Sequence, residues 1–103
     1  MNYIGSENDL NEVTKEGVTI VDFYADWCGP CRMLATVLEE LEEELEEIKI
    51  AKVNVDDNRE LSIKYNISAI PAVMFFKDGK LVKSEVGFLT RDDIASILEE
   101  IVD

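Results

Sequence analysis

The chain has 103 residues, 47% of them hydrophobic and 32% charged, the make-up of one globular domain spanning residues 1–103. Twenty-three acidic residues against ten basic leave a formal net charge of −13, and there is no histidine. Such a surface repels nucleic acid and anionic membrane, so neither is expected as a partner. No stretch approaches the roughly 18 apolar residues needed to cross a bilayer.

The N-terminus, Met1 to Glu7, lacks the basic and apolar parts of a secretory signal, so a cytoplasmic location is expected. Ser6, followed three residues later by Asp9, predicts the cap of a short helix with Leu10 and Val13 facing inward, ended by Gly17. Val18 to Ala25 is apolar, aromatic and β-branched, as a buried strand is, with Asp22 the polar exception. Gly29-Pro30 punctuates the chain, and from Pro30 the apolar residues return at helical spacing. Leu34, Val37 or Leu38, Leu41, Leu45 and Ile48 form the stripe of that long helix. Seven of the nine residues from Glu39 to Glu47 are glutamate: a solvated helix face, with a docking patch as the alternative.

Ile48 to Val55 predicts a second buried parallel strand, interrupted by Lys52, and Asn58 to Tyr65 a short helix. Ala72–Phe76 and Leu81–Val86 flank Lys77-Asp78-Gly79-Lys80, a hairpin signal with Asp-Gly at its turn. Thr90 with Asp93 caps a last helix whose apolar positions are Ile94, Ile97, Leu98, Ile101 and Val102. Right-handed crossovers would then cover both faces of a mixed sheet with helices, an α/β sandwich.

Cys28 and Cys31 sit where the first strand gives way to the long helix. Unpaired N–H groups and the positive end of the helix dipole both favour a thiolate there. A disulfide across two intervening residues closes too small a ring to stabilise the fold much, so it reads as a bond made and broken in use. Half a zinc site is the competing reading, but these are the only two cysteines and no histidine is present. Cys28, at the exposed edge of the helix start, reads as the nucleophile, with Cys31 a turn deeper. Asp22 either faces solvent at a strand end or is buried at considerable cost, in which case Lys52 is its natural partner. Pro71 cannot donate to a sheet and belongs at the start of its strand.

Trp27-Cys28-Gly29-Pro30-Cys31 after a Val-Asp-Phe strand resembles the thioredoxin family, and the resemblance covers nearly the whole chain. It extends to Asp22, Lys52, Ile70-Pro71, the Lys77–Lys80 turn and Val86-Gly87. The resemblance implies a mixed sheet of about five strands flanked by about four helices, in three α/β/α layers. It implies a protein-disulfide reductase: Cys28 attacks a substrate disulfide, and Cys31 resolves the mixed disulfide and leaves a Cys28–Cys31 bond. It further implies that Asp22 is buried and accepts the Cys31 proton, with Lys52 modulating it, and that Ile70-Pro71 is cis. Trp27, Gly29, Pro30, Ile70, Pro71, Gly87 and Phe88 would border the substrate groove. Disulfide-bearing proteins are the implied substrates, and thioredoxin reductase the electron donor. A monomer without cofactor or metal is expected.

Four residues depart from the common family pattern: Thr36 for a helix-kinking proline, Tyr24 for tryptophan, Ala72 for threonine, and Asp26 as an added charge. Two other functions stay open on sequence. One is a disulfide oxidase or isomerase, which Gly29-Pro30 disfavours because no cation lies between the cysteines. The other is a binding module whose cysteines gate an interface or bridge a metal between two chains.

Overall fold

The computed structural model describes residues 1–102; Asp103, the last residue of the expected domain, lies outside the described residues. The elements run β1 (Asn2–Tyr3), α1 (Glu7–Thr14), β2 (Val18–Tyr24), α2 (Gly29–Glu44), β3 (Lys49–Asn54), α3 (Arg59–Lys64), β4 (Ala72–Lys77), β5 (Lys80–Val86) and α4 (Arg91–Ile101). They form one five-stranded sheet in the order β1-β3-β2-β4-β5. β3 pairs parallel with both β1 and β2, while β4 runs antiparallel to β2 and β5.

Alternation along β2 assigns its two faces to two different cores. Val18 and Ile20 pack with Leu34, Leu38 and Leu41 of α2 and with Ile94, Ile97 and Leu98 of α4. Val21 and Phe23 pack on the other side with Leu10 of α1 and Leu61 of α3. Two helices on each face make the expected three-layer sandwich, with β2 at its centre. Asp22, two residues beyond Ile20, therefore shares the face that α2 covers.

Local chemistry fixes the ends of these elements. The Ser6 hydroxyl accepts the Asp9 N–H at 3.1 Å, starting α1. Thr90 and Asp93 complete a reciprocal capping box at α4, the Asp93 N–H donating to Thr90 Oγ1 at 3.0 Å and the Thr90 N–H to Asp93 Oδ2 at 2.9 Å. In the hairpin, Asp78 (φ 49°) and Gly79 (φ 86°) both adopt left-handed conformations, which a two-residue turn matched to strand twist requires.

Several expectations need correction. β1 escaped the sequence reading, because two residues are too short to show alternation. The apolar stripe of α2 stops being helical at Glu44: Leu45 caps the helix and is 37% exposed, and Ile48 lies in the connection to β3. All seven glutamates of that run lie within or beyond the last two turns, near the negative end of the dipole, and no basic residue stands in the last turn to offset them. Of the positions expected inward on α4, Val102 is exposed and Ile101 only partly covered. On α1 the second fully buried position is Thr14, Val13 being only partly covered.

Candidate active site

Cys28 is the N-cap of α2, extended in backbone (φ −94°, ψ 111°), with Gly29 and Pro30 in the first turn behind it. Its Sγ accepts the Cys31 backbone N–H at 3.2 Å, so the sulfur itself occupies the capping position usually filled by an oxygen. The two cysteines are joined in a disulfide with their Cα atoms 5.2 Å apart, and the chain is therefore in its oxidised form. Ala25 lies buried beside them, and Tyr24, Val55 and Ile70 pack against the group. The exposed edge expected for Cys28 is narrower than sequence suggested: Cys28 is 6% exposed and Cys31 2%. Neighbours from the β2, β3 and β4 ends cover the helix start, and no helical pattern reveals them.

Ile70-Pro71 is a cis peptide, immediately before β4. The Pro71 carbonyl accepts the Gly87 N–H at 2.8 Å, which ties the end of β5 to the same side of the molecule. Phe88 follows, partly exposed. Trp27 is 70% exposed, with its indole N–H donating to Asp56 Oδ2 at 2.9 Å. That bond orients a large apolar surface outward beside the cysteines. Asp56 was not legible as a site residue; as an acidic residue in the turn after β3, it carried no signal beyond ordinary turn chemistry.

Asp22 is fully buried, which excludes the solvent-facing alternative. It lies in register with Lys52 on the adjacent β3, and the Lys52 ammonium donates to Asp22 Oδ2 at 2.8 Å. The other oxygen, Oδ1, has no hydrogen-bond partner, alone among buried side-chain polar atoms of the described residues. Burial pushes the Asp22 carboxyl above its ordinary value, and the charge and hydrogen bond of Lys52 pull against that without cancelling it. Lys52 is 5% exposed, and it lines a cavity of about 390 Å³ together with Cys31, Tyr24 and Arg32. The pair thus sits beneath α2, with the deeper cysteine and the lysine opening on one space. Among the described residues, no cluster of three or more side chains suited to a metal occurs.

The comparisons agree with this geometry. The thioredoxin family model matches residues 3–100. A thioredoxin of Bacillus subtilis is 40% identical over 96 residues, 92% of each chain. One of Chlamydia caviae is 40% identical over 95 residues, covering 92% of this chain and 93% of that one. Among solved structures, a mutant thioredoxin from Halobacterium salinarum superposes with a TM-score of 0.93 at 36% identity, over 99% of this chain and 90% of that one. Fasciola hepatica thioredoxin gives 0.89 at 36% identity, over 97% and 98%. A cysteine pair closed across a helix start, on a sheet and sequence shared at this level, leaves one conclusion: the chain belongs to the thioredoxin family and is a thiol–disulfide oxidoreductase that reduces protein disulfides.

Proposed function

We propose that Cys28 is the attacking thiol and Cys31 the resolving one. In the reduced chain the Cys28 thiolate attacks one sulfur of a substrate disulfide, forming a mixed disulfide and expelling the other sulfur as a thiolate. Cys31 then passes its proton to the Asp22 carboxylate and attacks Cys28 Sγ. The second substrate thiolate leaves, and two electrons have moved from the Cys28–Cys31 dithiol to the substrate. The observation that carries this reading is the capping role of Cys28: its sulfur already accepts a backbone N–H at 3.2 Å at the positive end of α2, and a thiolate there gains most from both.

Asp22 suits the proton-accepting role because burial raises it toward the range where a carboxylate is an effective base. Lys52 tempers that rise and keeps the charged form accessible. Trp27, Gly29, Pro30, Ile70, Pro71, Gly87 and Phe88 form the substrate groove, where backbone groups beside Pro71 meet an extended substrate segment. A thioredoxin reductase restores the dithiol. The protein acts as a monomeric domain of residues 1–103 without cofactor, carrying electrons in the cytoplasm, where thiols are kept reduced.

The test is Cys31→Ser presented with a disulfide-bonded protein. A covalent adduct through Cys28 is expected to accumulate, because the resolving step is gone. If no disulfide substrate yields an adduct, the two-thiol sequence is wrong.

A further inference from the structure

The buried pair has a third member. The Lys52 ammonium lies 4.4 Å from the centroid of the Tyr24 ring, over its face, while it donates to Asp22 at 2.8 Å. Tyr24 and Asp22 stand on the same face of β2, and on β3 Lys52 is in register with Asp22, two residues before Asn54, the partner of Tyr24. We propose that Tyr24 is a positioning residue for this pair: the face of its ring holds the Lys52 ammonium over Asp22, so that the counter-charge is in place whether or not the carboxyl carries its proton.

The physical reason is the alternative open to Lys52. Its side chain lines two cavities, of about 390 Å³ and about 280 Å³, each walled in part by Tyr3 and Tyr24. When Asp22 is protonated, an ammonium with no other attachment gains by turning into that space and toward water. Asp22 could then ionise only by drawing the charge back. The electron-rich face of Tyr24 removes that cost, because it attracts the ammonium independently of the carboxyl. The other titratable and charged groups around these cavities are Tyr3, Asp26, Cys31, Arg32 and Asp57. None of the three ions among them pairs with Lys52 among the described residues; the Arg32 guanidinium donates to the Asp26 carbonyl at 3.0 Å. Burial raises the Tyr24 hydroxyl from an already alkaline value, so its ring stays neutral at working pH.

The consequence for catalysis rests on Asp22 as the acceptor of the Cys31 proton, whereas the effect on the Asp22 titration does not. The experiment separates the two. In the oxidised full chain, Tyr24 is replaced by phenylalanine and by pentafluorophenylalanine, which share shape and apolarity but oppose each other in ring charge. The Asp22 carboxyl is titrated by NMR. Tyr24→Phe is expected to leave the midpoint where it is, and the fluorinated ring to raise it by about half a pH unit, roughly threefold in proton affinity. In Lys52→Met the two rings are expected to give the same midpoint. Equal midpoints with Lys52 present, or a difference that survives in Lys52→Met, overturn the proposal. The rate of the Cys31 step is followed against pH in the same variants. If the titration moves and that profile does not, Tyr24 holds the pair as argued and it is the proton-accepting role of Asp22 that falls.

Discussion

Replacing Asp22 by asparagine is expected to stabilise the chain at neutral pH and to slow it as a reductase. A carboxyl whose folded pKa exceeds its unfolded one holds its proton more tightly in the native state. Native stability therefore declines as pH rises from the ordinary carboxylate range through the raised value, and the penalty is complete above it. Each pKa unit of that rise corresponds to about 1.4 kcal/mol. The structure supplies a second scale: Asp22 Oδ1 is buried without a partner, a defect that costs about 1–3 kcal/mol. An amide in its place keeps one unpaired polar atom but no charge, so the gain is set at about 1–2 kcal/mol. Removing one partner of a buried ion pair often destabilises by stranding the other. Here the stranded group would be Lys52, which borders two cavities and can reach water, whereas Asp22 is fully enclosed. Thermal unfolding of the oxidised wild type and of Asp22→Asn from pH 3 to pH 9 measures the difference. A melting temperature higher by at least roughly 4 °C is expected at pH 8, shrinking toward zero at pH 3, where both side chains are uncharged. A less stable variant at pH 8, or a gain independent of pH, would refute the reasoning.

The mirror substitution, Lys52→Met, strands Asp22 instead: its titration midpoint should move further up and stability at pH 8 should fall, both read from the same pH series. In the reduced chain, Cys28 should react with iodoacetamide near neutral pH much faster than Cys31, as peptide mapping of the labelled sites would show; equal rates contradict its role as nucleophile. Thr90→Ala removes the reciprocal cap of α4 and should cost about 1 kcal/mol, a fall of roughly 4–8 °C in melting temperature, with disulfide reduction unchanged.

Much of this was legible from sequence because local chemistry dictated it. The strand-to-helix break at Gly29-Pro30, the caps at Ser6 and Thr90 and the Asp78-Gly79 turn each depend on residues within a few positions of one another. Asp22 and Lys52 were legible as anomalies, since a charge inside an apolar strand is costly. Their meeting at 2.8 Å depends on the register of β2 against β3, which no local pattern specifies. The same holds for the Tyr24 ring over Lys52, for the Asp56 bond to Trp27, and for the covering of Cys28 by Val55 and Ile70. At the end of α2 the pattern misled: leucine and glutamate carry a helical period through Ile48, but the chain has to turn by Lys49 to enter the sheet.

The two margins of the sheet bear on how the protein behaves when crowded. An open strand edge offers unpaired amides and carbonyls to any neighbouring chain, and a second copy is the commonest neighbour. On one side the margin is β1, two residues long and too short to template a fibril. On the other it is β5, longer and bearing exposed Leu81, Val82 and Val86. That edge carries Lys80 and Lys83, and β5 itself bulges at Val82, which is left without a partner where Phe75 pairs with Lys83 and Phe76 with Leu81. Two β5 strands docked antiparallel about Lys83 would set that lysine against its own copy and bring two bodies of charge −13 together. The bulge, the lysines and the net charge thus all work against pairing of two copies through this edge.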